Sequence, residues 1–143
     1  QPLPHRFEVI PSQDGCVWID DSLATIPEAS LSALSNTKAG PVRLLIGGKD
    51  RGQSWEHFLQ EVVKRPQTSL YVFGSIVGNL EKAVSKDLSL DISRFETMEQ
   101  ALAAIQQNKQ KGDQILFSPA AASEGAGETY EQRSTRFQAA AQA

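Results

Sequence analysis

The sequence predicts an α/β fold, in which a doubly wound, mostly parallel sheet carries helices on both faces and one antiparallel hairpin at its edge. Two short alternating segments that flank Asp14 and Gly15 indicate the hairpin. Beyond it, apolar runs typical of buried strands alternate with segments whose apolar residues recur at helical spacing. Because successive parallel strands need a crossover connection, this alternation predicts a parallel sheet.

Six segments have the composition of strands. Residues 6–10 and 16–19 alternate as the two halves of an edge hairpin would. The remaining segments are short and mostly apolar, and those at 42–46 and 70–73 lack polar side chains almost entirely, as strands buried on both faces do. We therefore expect further strands at 42–46, 70–73, 90–92 and 114–117.

The helices are predicted from apolar stripes and from capping signals. Thr25 and Glu28 have the spacing of a capping box for a helix over 27–35, and Thr97 and Gln100 have the same spacing for a later helix. Further stripes predict helices at 55–65, 76–88 and from about residue 128. Together these elements predict a Rossmann-like arrangement in one domain over 5–143, preceded by a proline-containing linker stub at 1–4.

Composition restricts the class of protein. The 143 residues suit a single domain, and a net charge of −3 argues against a broad nucleic-acid surface. Cys16 is the single cysteine, which precludes an intrachain disulfide and fits a reducing compartment. We find no signal peptide and no apolar run of membrane length, so we expect a soluble cytoplasmic protein without a membrane partner.

Polar clusters follow three of the predicted strands: residues 20–22 with Thr25, residues 47–52, and Ser118 with Ser123. The carboxyl ends of parallel strands lie at one edge of a sheet, where ligands of open α/β sheets bind. We therefore expect these clusters to converge. Physical reasoning alone does not name the ligand.

The segment at 47–52 offers the clearest sign of an anion site. Gly47 and Gly48 leave backbone N–H groups free to face an anion, and Lys49 or Arg51 would add positive charge. The alternative is a tight strand-to-helix turn with solvated charges, in which Arg51 is a solvated loop charge or pairs with Asp50.

Several other sites are not indicated. His5 and His57 have no cysteine or carboxylate partners at metal-ligand spacing, so we predict no metal site. Arg133 and Arg136 on the last helix are interpreted as solvated charges. The chain contains no P-loop motif, and therefore no nucleotide cradle of the Walker type.

Five segments, in order and spacing, resemble the Mur ligases of peptidoglycan and cell-wall biogenesis, on which cell shape and cell division depend. They are residues 3–8 (LPHRFE), 20–25 (DDSLAT), 47–52 (GGKDRG), 118–123 (SPAAAS) and 130–133 (YEQR). The resemblance covers essentially the whole chain and points to the ligases that add glutamate.

The resemblance implies the third domain of a three-domain, monomeric, cytoplasmic enzyme. The N-terminal domain, which would bind the UDP-sugar, and the central ATPase domain are absent from this chain. In this family ATP, bound with Mg mainly by the central domain, phosphorylates the carboxylate of UDP-N-acetylmuramoyl-L-alanine. The glutamate amine then attacks the acyl phosphate. The resemblance thus implies that this domain alone is inactive and works against its own central domain.

Site residues carry over from the resemblance one by one. Asp21 would contact the ATP ribose and Arg6 the phosphates. Thr25 and Arg51 would hold one glutamate carboxylate, while Ser123 and the backbone N–H of Tyr130 would hold the other. A dianionic amino acid requires such a set of a cation and several oriented donors. No catalytic residue is assigned to this domain.

The chain departs from the family pattern at several positions. Leu23 stands where the family has lysine, and Arg51 replaces a lysine, which keeps the charge but favours bidentate binding. Gly125 and Gly127 replace aspartate and phenylalanine, and Tyr130 replaces phenylalanine. These changes leave open whether the amino acid is D-glutamate, L-glutamate or a close relative.

Two other functions remain open at this point. One is a stand-alone, non-catalytic module that binds an anion or a partner at the same edge of the sheet. The other is a folylpolyglutamate-type ligase domain, which shares the domain plan but lacks the segments matched at 118–123 and 130–133.

Overall fold

Six strands and five helices alternate along residues 4–125 and 127–143, the part of the chain that the computed structural model describes. The strands are β1 (Glu8–Ile10), β2 (Val17–Asp20), β3 (Val42–Gly47), β4 (Thr68–Phe73), β5 (Asp91–Phe95) and β6 (Gln114–Phe117). The helices are α1 (Pro27–Ser35), α2 (Glu56–Lys64), α3 (Ile76–Ala83), α4 (Met98–Asn108) and α5 (Tyr130–Ala141).

The strands form one sheet in the order β1-β2-β6-β3-β4-β5. Strand β1 pairs with β2 in the antiparallel direction, and every other pairing is parallel. Asp20 and Leu45 both pair with Phe117, and Gly47 pairs with Phe73, so four neighbouring strands end at one edge. The predicted fold class, including the edge hairpin, is confirmed.

Hydrophobic clusters cover both faces of the sheet. Alternation along β3 sends Leu44 and Ile46 to the face covered by α1, α2 and α3, where Phe58 is also buried. It sends Leu45 to the opposite face, where Phe137 of α5 and residues of α4 are buried. Helices therefore pack on both faces, as expected for a doubly wound sheet.

The predicted capping box at Thr25 is wrong. Helix α1 has Ile26 as its N-cap residue and Pro27 in its first turn, and no side chain caps it. Because the helix begins with Pro27, Thr25 lies one residue too early to reach the first free N–H groups. The Thr97 box is confirmed, and Thr129 and Gln132 form a further capping box at α5.

Other boundaries shift by a few residues. Helix α3 ends at Ala83 because Val84 adopts an extended backbone (ψ 117°), although Leu88 still packs against the core from the loop that follows. Residues 1–3 of the predicted linker stub lie outside the described residues, and Pro4 lies in a turn. In the described residues, no helix is long and apolar enough to cross a membrane.

Candidate functional site

Two glycines at the end of β3 allow close packing against β4 and against the loop that follows β6. A Cβ atom on Gly47 would lie 2.3 Å from the ring of Phe73. Gly48 has φ +139°, and a Cβ atom there would lie 2.1 Å from the carbonyl oxygen of Ala122. The Lys49 N–H donates to that same carbonyl oxygen over 2.9 Å. The sequence needs glycine at both positions, because a side chain at 47 would overlap Phe73 of β4 and one at 48 would separate the loops after β3 and β6.

A cavity of about 580 Å³ opens between these loops, the segment before α1 and the start of α5. All four residues carried over for glutamate line it, namely Thr25, Arg51, Ser123 and Tyr130. Its other charged residues are Lys49, Glu124, Glu128 and Arg133. The three polar clusters therefore converge as the strand order requires, and the binding roles of these residues stay predictions.

Thr25 and Tyr130 offer polar groups that the local secondary structure does not use. The side chain of Thr25 does not cap α1, and the residue is exposed at the cavity. Tyr130 is the first residue of α5, and N–H groups in the first turn of a helix have no acceptor within the helix. This geometry suits the expected use of the Tyr130 N–H as a donor to an anion.

Arg51 is an exposed cation at the edge of the cavity. The carboxylate of Asp50 accepts two hydrogen bonds from Asn79 Nδ2, at 2.8 and 2.7 Å, and one from the Gly52 N–H at 2.9 Å. Within residues 4–125 and 127–143, the Arg51 guanidinium forms no ion pair. The alternative in which Asp50 neutralises Arg51 is therefore wrong.

Arg133 is buried, and its interpretation as a solvated charge is wrong. It is 1% exposed, and its two terminal nitrogens each donate over 2.9 Å, to the carbonyl oxygens of Gly47 and Ala121. Burial lowers the pKa of Arg133 to about 10, so the side chain stays positive at neutral pH. The signal was present in the sequence, because Arg133 lies three residues after Tyr130 and four before Phe137, on the inner stripe of α5.

Arg136 fits its predicted place on the surface better. It is one-third exposed and forms ion pairs with Glu99 at 2.9 Å and Glu128 at 2.5 Å. Glu128 is thus engaged by Arg136 at the rim of the cavity.

Arg6 and Asp21, the residues carried over for ATP, lie together at a second cleft of about 330 Å³. Asp21 is buried and accepts hydrogen bonds from the Phe7 N–H at 2.9 Å and the Ser118 hydroxyl at 2.8 Å. Burial raises the pKa of the Asp21 carboxyl above its usual value. Leu23, at a position where the resemblance leads us to expect lysine, lines the same cleft and brings no charge to it.

Asp20 has a role that the sequence did not reveal. Its carboxylate accepts hydrogen bonds from Gln138 Nε2 at 2.9 Å and from the hydroxyls of Ser22 and Ser134. Desolvation by burial raises its pKa, but the hydrogen bonds from Ser134, Ser22 and Gln138 outweigh it and leave the pKa below the usual value. The ring of His5 completes the network, with Nδ1 2.8 Å from the Ser134 oxygen.

The side chains of His5, Glu8 and Asp20 come close enough to share a metal ion, a grouping that the spacing in the sequence does not reveal. They do not fit a resident Mg²⁺, because both carboxylate oxygens of Asp20 already accept protein hydrogen bonds and Glu8 accepts the His5 N–H at 3.1 Å. Mg²⁺ also requires oxygen ligands in near-octahedral geometry and retains waters.

Comparisons with known proteins agree with these features. The family model for the Mur ligase, glutamate ligase domain matches residues 5–121. The chain is 36% identical to a UDP-N-acetylmuramoylalanine--D-glutamate ligase of Haemophilus influenzae, over 98% of this chain and 31% of the relative. It is 33% identical to a UDP-N-acetylmuramoyl-L-alanine--L-glutamate ligase of Xanthomonas euvesicatoria, over 96% of this chain and 30% of the relative.

Solved structures share the fold. A MurF ligase from Thermotoga maritima in complex with ADP superposes with a TM-score of 0.60 at 23% identity, over 98% of this chain and 32% of that chain. A bifunctional folylpolyglutamate synthase/dihydrofolate synthase from Yersinia pestis has a TM-score of 0.65 at 18% identity, over 96% and 31%. The chain thus spans about a third of the length of the curated relatives. On the match to the family model, this chain belongs to the glutamate ligase domain family of the Mur ligases.

Proposed function

We propose that the protein containing this chain is an ATP-dependent, amide-forming ligase that joins glutamate to UDP-N-acetylmuramoyl-L-alanine. The observation that supports this proposal most directly is the cavity at the carboxyl edge of the sheet. It is lined by three cationic side chains, those of Lys49, Arg51 and Arg133, and by the hydroxyls of Thr25 and Ser123. Such a cavity is suited to a small ligand with more than one carboxylate.

Glutamate matches this arrangement of charge. Arg51, which has no ion pair in the described residues, and Thr25 would hold one carboxylate. Ser123 and the N–H of Tyr130 would hold the other, since the first turn of α5 offers free donors and a positive dipole end. Two fixed carboxylates orient the amine, which must approach the activated acyl carbon without solvent between them.

The cleft at Arg6 and Asp21 is proposed as part of the ATP site. ATP would supply the phosphoryl group that activates the acceptor carboxylate as an acyl phosphate. The Asp21 carboxylate keeps lone pairs beyond its bonds to Phe7 and Ser118, so it could still accept a ribose hydroxyl. The cluster of His5, Glu8 and Asp20 does not fit Mg²⁺, which would be held mainly by the central domain.

The proposal therefore divides the reaction between domains. This chain would bind and orient glutamate and contact the nucleotide. A central domain with a P-loop would bind ATP, and an N-terminal domain would bind the UDP-sugar. The enzyme would act as a cytoplasmic monomer in peptidoglycan synthesis. Closure of this chain against the central domain would exclude water from the cavity.

The test is amide formation by the full-length protein. UDP-N-acetylmuramoyl-L-alanine would be incubated with ATP, Mg²⁺ and either D- or L-glutamate, and the product and released phosphate would be quantified. ATP-dependent addition of one enantiomer supports the proposal and decides the stereochemistry, for which the curated relatives include both kinds. Addition of glutamate to a folate acceptor only would favour the folylpolyglutamate alternative, and ligand binding without turnover would favour a non-catalytic module.

A further inference from the structure

Arg133 carries a buried charge that the described protein groups do not neutralise. Its side chain lines the same cavity as Arg51 and Ser123, yet the residue is only 1% exposed. Within the described residues it forms no salt bridge, and its Nε atom has no hydrogen-bond partner. A buried cation without a counter-ion is costly, which suggests that its counter-ion arrives with a ligand.

The nearby carboxylates are engaged elsewhere. Glu124 accepts hydrogen bonds from Ser75, at 3.2 Å from the N–H and 2.5 Å from the hydroxyl. Glu128 pairs with Arg136 at 2.5 Å. Both glutamates influence Arg133 through space, but neither lies within salt-bridge distance. The cavity thus retains positive charge at its buried wall.

Arg133 also connects the two loops that carry the candidate ligand contacts. One terminal nitrogen donates to Gly47, directly before the turn that leads to Arg51, and the other donates to Ala121, two residues before Ser123. Neutral donors could satisfy two backbone carbonyls equally well, so holding the loops does not by itself require a charge.

We propose that Arg133 is a positioning residue with two roles. Its positive charge favours an anionic amino acid in the cavity, and its two terminal nitrogens hold the loops of Arg51 and Ser123 in place. This inference rests on the proposed function, because it assigns the anion in the cavity to the glutamate substrate. It extends the set of specificity residues beyond Thr25, Arg51, Ser123 and Tyr130.

Two substitutions in the full-length enzyme separate the effect of the Arg133 charge from the effect of its hydrogen bonds to the two loops. Arg133→Gln keeps an amide donor for a loop carbonyl but removes the charge. Arg133→Lys keeps the charge but loses the fork. If charge matters, Arg133→Gln should raise the KM for glutamate by about 30-fold or more, since loss of a desolvated charged partner has effects of this size. Arg133→Lys should raise it by less than about fivefold.

Arg43 provides a matched control at the opposite end of β3. Its guanidinium also connects separate segments, donating to Asp113 at 2.8 Å, to the Tyr71 hydroxyl at 2.7 Å and to the Asn108 carbonyl at 2.8 Å. Unlike Arg133, it has a carboxylate partner. Arg43→Gln should therefore lower the melting temperature without changing the KM for glutamate.

The competing outcome is equally concrete. If Arg133→Gln binds glutamate as well as or better than Arg133→Lys does, the Arg133 side chain only holds the two loops together by hydrogen bonds, and the inference fails. If Arg133→Lys unfolds, the thermal shift of Arg133→Gln against wild type still reports whether charge is needed, with glutarate as the probe. If Arg133→Gln unfolds, an Arg133→Lys variant that glutarate does not stabilise overturns the inference. Glutarate should raise the melting temperature of the wild type and the lysine variant, but not that of the glutamine variant.

The glutarate measurement also separates this inference from the proposed function. A wild-type enzyme that forms no amide with glutamate refutes the proposed function, whatever glutarate does. A wild-type enzyme that turns over glutamate, with Arg133→Gln equally active and equally shifted by glutarate, refutes only the inference. Absence of any glutarate shift in an inactive wild type refutes both.

Discussion

The Ser118 hydroxyl donates a hydrogen bond to Asp21 Oδ2 over 2.8 Å and so joins the loop after β6 to the end of β2. The other carboxylate oxygen of Asp21 accepts the Phe7 N–H at 2.9 Å. Asp21 therefore fixes the segment at Phe7 against the carboxyl edge of the sheet, beside Arg6 at the proposed nucleotide cleft.

Asp21→Asn in the full-length enzyme should raise the KM for ATP much more than the KM for glutamate. Asparagine offers one oxygen where aspartate offers two, so the nucleotide and the internal donors would compete for it. The lost internal bond should also cost about 1–3 kcal/mol of unfolding free energy. Steady-state kinetics with each substrate varied, together with thermal melts, measure both effects.

Ser118→Ala is the control for Asp21, since it removes one internal donor and leaves the carboxylate in place. It should lower the melting temperature with a smaller effect on the KM for ATP. A rise in the KM for glutamate with unchanged ATP kinetics in Asp21→Asn would show that the nucleotide role is assigned to the wrong residue.

The 143-residue chain on its own should fold but form no amide and hydrolyse no ATP. Its sequence contains no P-loop, and under the proposed function the glutamate cavity is completed only when a central domain closes over it. Glutamate binding should accordingly be weak. Circular dichroism and a phosphate-release assay on the purified chain test this, and measurable ligase turnover would contradict it.

The fold was predictable because burial imposes periodic patterns. The apolar run of β3 and the stripe of α2 identify elements that bury their side chains on two faces or on one. Capping was less predictable. Thr25 matches a capping box as well as Thr97 does, but Pro27 moves the start of α1 past it. A local motif cannot show which of two neighbouring residues begins the helix.

The candidate site was predictable to the extent that strand order determines it. The loops after β3 and β6 had to meet at one edge, which brought Arg51 and Ser123 to one cavity. The burial of Arg133 depends on two backbone carbonyls 86 and 12 residues away in the chain. Helical spacing places Arg133 on the inner stripe of α5, but its two carbonyl contacts follow from tertiary packing and no spacing in the sequence encodes them.

Gly48→Ala should destabilise the chain by at least about 2 kcal/mol. Gly48 has φ +139°, and the added Cβ atom would lie 2.1 Å from the backbone oxygen of Ala122, so both strain and overlap act. Gly78→Ala is the matched control within α3, where a Cβ atom meets no atom within 4 Å. It should stabilise the chain by about 0.5–1 kcal/mol. Urea unfolding of both variants decides the comparison, and equal effects would contradict the packing of the two loops.

The Asp14 carboxylate should make the free energy of unfolding decrease as the pH falls below about 4. Desolvation by burial raises its pKa, but hydrogen bonds from Lys109, Ser12, the Cys16 N–H and Trp18 outweigh that effect and hold the pKa well below its usual value. A depressed pKa contributes stability above the unfolded-state pKa of about 4, and that stability is lost as the pH falls towards the folded-state pKa.

The unfolding free energies of wild type and Asp14→Asn, measured in urea at pH 7 and pH 3, test this contribution. The variant should be less stable by about 1–3 kcal/mol at pH 7, and the gap should narrow at pH 3. Asp87→Asn, at an exposed position, is the control and should change little. A gap that stays constant with pH would show that the Asp14 carboxylate does not stabilise the fold through its charge.

Arg51→Ala should separate binding from stability. Arg51 is exposed in the loop after β3, while Asp50 is held by Asn79, so loss of the guanidinium breaks no ion pair within the described residues. The free energy of unfolding should change by less than about 1 kcal/mol.

If Arg51 binds a glutamate carboxylate in the closed enzyme, loss of this partner costs roughly 2–5 kcal/mol, or about 30-fold to several-thousand-fold in kcat/KM for glutamate. Arg51→Lys should recover part of that loss, because the charge survives without the fork. Steady-state kinetics of the full-length variants, paired with thermal melts, measure both quantities, and a kinetic change below about threefold for Arg51→Ala would return this residue to the role of a solvated loop charge.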